Sequence, residues 1–509
     1  MPNSQESREL PACLQPAKAG AEWREPLDTR DLATRLETEG VTDAVAAAEF
    51  GYRGTFSMAE AWLPRILEFQ PPAETIPRRR TRWRDYWQGI SFALPMLVSI
   101  LSITLLNFSL WGGDLGPEDA TATGLGLVGS FLVGGGFVQI MARRGLFLAG
   151  SNQFRRCEQA TWLWARRGVA ATFLAAAVFF AASLYWDWLP ISVGLTTAAF
   201  CVALSLFWIS TGIFHVLGRG LLVAWVTLAG IALVGALRFG LHAPLVISQL
   251  LGILIAAAAA FVISARLLRR RAAGQAAAEE RSSFLRDAFF LWPYFSYGIL
   301  YYLLLFADRL VAWTAQTHAT ALAVQFRGDY ETALNLGLVS FIVEVGWVHC
   351  STANFYVEAA EAQKQYSIAN VDGFRQEMVR FYWKRLARFV PVAVAASLLA
   401  LLVAAGGAFL HGTVVETAAC SLAGFPFLIV GLWNVSLLFG LSMAPKAVAA
   451  TAIACLVDLA AGYILTRIGD YHYAIAGFLL GAVVFALLPG FWALRAFRKL
   501  DYFYFAASA

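Results

Sequence analysis

Four ionisable side chains stand where their surroundings are almost wholly apolar: Asp308, Arg309, Glu344 and Asp458. Glu344 lies in Ser340-Phe-Ile-Val-Glu-Val-Gly346, and Asp458 is flanked by Leu456, Val457, Leu459 and Ala460. A charge in hydrocarbon costs on the order of 3 kcal/mol or more, so such groups meet a partner or a water-filled cavity. The chemistry open to them is binding. A carboxylate in a low-dielectric site takes up a proton, a metal ion or a cationic group, or pairs with an arginine. For Glu344 both readings stand: a structural pair with Arg309, or a lumen carboxylate. Asp458 has no second polar group beside it in sequence, so a structural role is at least as well supported as binding.

Other chemistry finds no support. A Walker A sequence is absent, which excludes a built-in ATP engine of that kind. No Asp-x-Asp pair sits on a large loop, as a glycosyltransferase face would need. The six cysteines include no CxxC pair and imply neither a disulfide nor a metal site. His215, His318, His411 and His472 flank apolar runs singly and read as interfacial side chains rather than ligands. No catalytic residue, metal or cofactor is expected.

The elements that must position the four groups are long and apolar. The 509 residues are 59% hydrophobic and only 14% charged, against roughly 25% in soluble proteins. A membrane-crossing helix needs about 20 apolar residues, and the chain offers about twelve such runs. They fall at 87–110, 122–141, 168–187, 191–214, 219–238, 243–265, 287–308, 332–352, 389–410, 417–441, 447–466 and 472–494. Unpaired backbone groups are excluded from lipid, so these runs are expected to be helices, and the alternation of a membrane barrel is missing.

The basic residues choose a side. Alternate gaps hold only Arg238, Arg309, Arg327 and Arg467, whereas the flank at Arg78–Arg84, the other gaps and the tail hold 28 of the 39 basic residues, the rest lying before residue 78. This bias places both termini in the cytoplasm, with interfacial anchors such as Trp87, Tyr185, Trp186 and Trp188 at span ends. The net charge of +5 then matches anionic membrane lipids rather than nucleic acid. Residues 1–77 carry no apolar core behind a basic stretch, so the first span is expected to act as its own targeting signal.

Gap lengths repeat between the halves, which predicts an N-lobe over 87–265 and a C-lobe over 287–494, joined by a basic linker at 266–286. Residues 495–509 form a cytoplasmic tail. Residues 1–86 form a cytoplasmic extension with short helices: one over 31–39 stopped by Gly40, then an aromatic patch of Phe50, Tyr52 and Phe56. A capping box, Ser57-Met-Ala-Glu60, opens a further helix that Pro64 would kink or shorten. This extension reads equally as a loosely held tail or as a docking element for a cytoplasmic partner. The two long gaps, 142–167 and 353–388, mix arginine with aromatics and read either as headgroup-plane helices or as extensions of the spans. The glycines from Gly124 to Gly136 serve close helix packing.

The stretch Ser296-Tyr-Gly-Ile-Leu-Tyr-Tyr302, running into Phe306-Ala-Asp-Arg-Leu310 and Trp313, resembles the exopolysaccharide exporters typified by the membrane exporter of the Pel system. Glu344, Phe355-Tyr356 and the basic helix Arg375–Arg388 stand in comparable places, so the likeness is specific over 285–388. The resemblance implies an all-α polytopic protein of the polysaccharide-flippase and drug-extrusion (MATE-like) superfamily, with two six-helix lobes in a bacterial inner membrane. It implies transport of an exopolysaccharide or lipid-linked glycan by alternating access, with Asp308, Arg309 and Glu344 at the site. An acidic lumen would suit a polymer of amino sugars. The extension over 1–86 departs from the family and could hold a cytoplasmic glycosyltransferase or synthase subunit. Two rivals remain: a small-molecule antiporter of the facilitator type, and a non-transporting subunit of a synthase complex.

Overall fold

A computed structural model describes residues 28–38, 40–68, 83–273, 275, 284–315, 322–365, 371–406 and 413–499. The chain divides into two compact units, Met1–Arg79 and Arg80–Ala509. His318, His411, Cys13, residues 274 and 276–283 of the expected linker and residues 500–509 of the expected tail lie outside the described residues.

The first unit contains α1 (Thr29–Thr38), α2 (Asp43–Phe50) and α3 (Thr55–Glu68). Gly40 adopts a left-handed φ of 90°, and the Val41 amide donates to the Leu36 carbonyl at 2.8 Å, closing α1 where the sequence predicts a stop. The start of α3 differs from expectation. It begins at Thr55, two residues before Ser57, because Asp43 of α2 supplies the cap from outside. Asp43 Oδ1 accepts from the Thr55 amide at 2.7 Å and from its hydroxyl at 2.5 Å. Pro64 is carried within the helix. Leu32, Leu36, Met58 and Trp62 are buried together, and the Trp62 indole donates to the Tyr52 hydroxyl at 2.8 Å. These short helices therefore share a core of their own.

In the second unit every element is helical except short turns and an isolated bridge between Phe108 and Gly113. Among the described residues, eleven helices are long and apolar enough to cross a membrane, and Leu94–Leu106 is a shorter apolar helix. The first half comprises α4 (Trp83–Ile90), α5 (Leu94–Leu106), α6 (Pro117–Gly150), α7 (Phe154–Trp186), α8 (Ile191–Val216), α9 (Leu221–Gly235, continued by a π turn) and α10 (Leu245–Ala272). The second comprises α11 (Phe284–Thr314), α12 (Gly328–Gln365), α13 (Val371–Gly406), α14 (Thr413–Gly440), α15 (Ala444–Ile468) and α16 (Ala474–Phe497).

The expected first span, 87–110, is two helices. A turn at Ser91–Ala93 separates α4 from α5, and Asn107 ends α5 in a left-handed conformation. The chain then folds back into the bundle, where the Gln249 amide donates to the Ser109 and Gly112 carbonyls at 3.1 and 2.9 Å. The long basic-aromatic gaps resolve as extensions of the spans: α6 runs 34 residues and α12 runs 38. At ~1.5 Å per residue, each exceeds the ~30 Å hydrocarbon layer by several turns.

Packing repeats between the halves. In the first, α6 lies on α7 and α8, α8 on α10, α9 on α10, and α5 on α9. In the second, α12 lies on α13 and α14, α14 on α16, α15 on α16, and α11 on α15. The halves join where α6 crosses α11 and where α4 and α5 cross α12. Both joints are glycine contacts. A Cβ on Gly298 would stand 2.6 Å from the Gly135 carbonyl oxygen, and one on Gly89 would stand 2.9 Å from the Gly346 Cα. Each joint admits the backbones only because neither residue has a side chain.

Candidate functional site

Two cavities open between the halves, toward opposite ends of the helices. The larger, about 450 Å³, is walled by the α4–α5 break, α6, α8, α11, α12 and α14, and includes His215 and His349. The smaller, about 180 Å³, lies toward the Trp111 and Trp313 end and includes Arg309 and Glu331. Met96, Phe131, Trp208 and Leu305 line both.

The divider between them is an aromatic stack. Phe131 of α6 lies with its ring centroid 4.6 Å from Trp208 of α8 and 4.6 Å from Tyr302 of α11, with Phe306 at 5.4 Å. The Phe131 ring therefore touches both halves. Gly135, one turn further along α6, brings the helices close: a Cβ there would stand 2.4 Å from the Tyr302 ring. At the far end of the larger cavity Phe92, in the α4–α5 break, stacks on His215 at 4.0 Å.

The ionisable groups gather on the second half. Arg309 Nε donates to Glu331 Oε2 at 3.0 Å, and Nη1 donates to the Leu305 carbonyl at 2.6 Å. Beside it, the Tyr330 hydroxyl donates to Asp308 Oδ2 at 2.7 Å. Asp458 of α15 lies within electrostatic range of both Asp308 and Arg309. Neither of its carboxylate oxygens has a hydrogen-bond partner among the described residues. Glycines of α16 wall it in, since a Cβ on Gly481 would stand 2.8 Å from the Asp458 Cβ. Three carboxylates thus surround one guanidinium, and Arg309 and Glu331 are the members that reach a cavity.

Glu344 stands apart from this group. It is fully buried, with Oε1 accepting from the Ser340 hydroxyl at 2.7 Å, and it lines neither cavity. The partner expected for it, Arg309, is taken by Glu331. Instead Glu344 lies near the α4–α12 crossing, where the Tyr86 hydroxyl donates to the neighbouring Val343 carbonyl at 2.7 Å. Sequence reasoning brought Asp308, Arg309 and Asp458 into view and missed Glu331 and Tyr330, because the expected span began at residue 332. It also read the tyrosines of 296–302 only as a family signature. Among the described residues no group of three potential ligands could hold a metal ion.

A profile of the PelG family, described as "Putative exopolysaccharide Exporter (EPS-E)", matches residues 88–505. The chain belongs to this family. The PelG match extends far beyond 285–388, the segment where the likeness is legible by eye. No curated protein matches the chain. Among solved structures, a MOP superfamily transporter from Pyrococcus furiosus shares the fold at a TM-score of 0.57 and 15% identity, over 82% of this chain and 97% of that one. A multidrug resistance MATE family transporter in an outward-facing conformation aligns at 0.55 and 13%, over 82% and 97%. A MATE protein in complex with MaD5 aligns at 0.57 and 15%, over 84% and 99%. At these identities the likeness establishes the fold. This PelG family member is a multi-pass membrane protein with a MATE-like transporter fold.

Proposed function

We propose that the chain exports an exopolysaccharide from the cytoplasm across the bacterial inner membrane, with the two halves rocking as six-helix lobes around the joined cavities. One observation carries this reading beyond family membership. The cavities meet at a divider built from both halves, so relative motion of the halves would open one end as it closes the other. The larger cavity faces the cytoplasm, because the basic gaps flank its His215 end, and both termini lie on that side. No residue is assigned a catalytic role: the work is translocation.

Asp308, Arg309, Asp458 and Glu344 serve binding of a coupling cation or of substrate. Arg309 and Glu331 meet the passing group, while Asp308 and Asp458 hold charge behind them. The first unit, with its independent core, docks a cytoplasmic synthase subunit. Polymer secretion tests the whole reading. A strain lacking the chain should retain polymer and regain secretion when it is restored, and unchanged secretion without the chain would end the proposal. Within it, Glu344→Gln secreting at the wild-type level would remove Glu344 from the site. Reporter fusions at the His215 and Trp313 ends check the orientation.

A further inference from the structure

The larger cavity carries no formal charge on its walls. None of its lining residues is Asp, Glu, Lys or Arg; its titratable side chains are the tyrosines and the imidazoles of His215 and His349. Instead the walls combine flat aromatic faces with neutral hydrogen-bonding groups. Tyr297, Tyr301 and Tyr302 of α11 stand side by side, their ring centroids 6.0 and 5.3 Å apart in sequence order. None of the three hydroxyls has a hydrogen-bond partner among the described residues, although Tyr297 is only 5% exposed. With no protein partner, these hydroxyls are open to bond water or a group that enters the cavity. Beside them, the Gln139 amide is likewise without a partner among the described residues, and the Trp208–Phe131–Tyr302 stack closes one end of the cavity with aromatic carbon.

A pyranose ring matches this lining. Its C–H face is apolar and packs on an aromatic plane, while its hydroxyl or acetamido rim both donates and accepts hydrogen bonds. A cavity of about 450 Å³ falls within the ~300–1,000 Å³ typical of small-molecule sites, enough for a short glycan segment. Charged cargo fits poorly. A pyrophosphate would meet no lysine or arginine here, only the imidazoles of His215 and His349, and an ammonium would meet no carboxylate, with only ring faces to replace its water. The acidic lumen that suits amino sugars is therefore absent from this cavity, the acids lying behind Arg309 or at the α4 crossing.

We propose that the larger cavity is a subsite for an uncharged glycan segment, packed against the aromatic wall that Phe131, Trp208 and Tyr302 build and hydrogen-bonded by Tyr297, Tyr301, Tyr302 and Gln139. The polymer thus passes with its sugars neutral, and any amine on them is masked or is produced after transit. A lipid pyrophosphate carrier has no place in this cavity. This rests on the export reading and specifies its cargo.

The test uses the full chain in lipid nanodiscs, read by quenching of tryptophan fluorescence and by calorimetry. The probes are an N-acetylglucosamine pentasaccharide, its fully de-N-acetylated cationic form, and farnesyl pyrophosphate. The neutral pentasaccharide should bind best of the three. Tyr301→Phe, which removes one hydroxyl, and Phe131→Leu should each weaken it by about tenfold while leaving the thermal transition in place. Absence of neutral binding, tighter binding of either charged probe, or binding indifferent to both substitutions would overturn the proposal. Secretion assays keep the two readings apart. Chain-dependent secretion alongside a preference for charged probes removes only this inference, whereas secretion independent of the chain removes the export function.

Discussion

At the scale of single residues, the unequal charge of the second half makes distinct demands. Arg309 is the one guanidinium facing Asp308, Glu331 and Asp458. Breaking a buried pair from one side costs about 3–5 kcal/mol, whereas replacing both partners with apolar groups is often tolerated. Arg309→Met should therefore lower the melting temperature of the purified protein sharply, and adding Glu331→Met should recover most of the loss without restoring export. A double variant as unstable as the single one would deny the pairing. Asp458→Asn makes the opposite prediction. With no hydrogen bond to lose among the described residues, the fold should be as stable or more so, while secretion falls if Asp458 serves the coupling site. In the first unit, the two hydrogen bonds from Thr55 hold the Asp43 carboxyl below the usual carboxylate range. A depressed folded value stabilises above the ordinary aspartate pKa of ~3.9 and is lost as pH falls through the lower value. Amide protection factors across residues 28–68 should thus fall in acid, and Asp43→Asn should lower them at neutral pH and flatten the acid response.

At the scale of elements, the two joints between halves are set by glycine rather than by apolar area. Gly135 lies in the nineteenth position of α6 and Gly346 in the nineteenth of α12, counting from Pro117 and Gly328. Each receives a glycine from the opening helices of the opposite half. Gly298→Ala and Gly89→Ala should each destabilise the protein by roughly 1–3 kcal/mol, since backbone on the far side cannot yield as a side chain can. Gly134→Ala, where a Cβ would meet nothing within 4 Å, is the control and should be neutral in melting temperature. The sequence exposes the glycine run of α6 but not which of its glycines touches what. That depends on a partner helix some 160 residues away, which periodicity does not reveal. The positions of the spans were legible because hydropathy follows the hydrocarbon layer, but not the full helix lengths, since α6 and α12 run on past it. The α4–α5 break was not, because Ser91-Phe-Ala93 is no more polar than its surroundings.

At the scale of the whole molecule, most of the architecture follows from where apolar runs and arginines fall along the chain. The site follows less well. The four charged residues drew attention because charge is rare in such helices, yet the larger cavity is lined by tyrosine, tryptophan and glutamine, which are common at span ends and carry no warning. A neutral site is quiet in a sequence. The independence of the first unit is testable at this scale. Removing residues 1–79 should leave the thermal transition of the remaining chain intact, because each unit holds its own core, while secretion falls if the first unit recruits a synthase. Full secretion from the shortened chain would leave that unit without a part in transport.

The broken opening span has a consequence for how the protein is made. At 13 residues, α5 reaches only about 20 Å, short of the ~30 Å it would have to cross alone. Its companion α4 is packed against α12, which the ribosome completes some 270 residues later. The start of the chain must therefore wait, sheltered by the insertion machinery or by lipid, until the second half arrives to receive it. Nascent chains halted near residue 275 should leave an engineered cysteine in α4 open to water-borne maleimide, and chains extended past α12 should close it. The seating of α4 would then be a late step of assembly, timed by the arrival of α12.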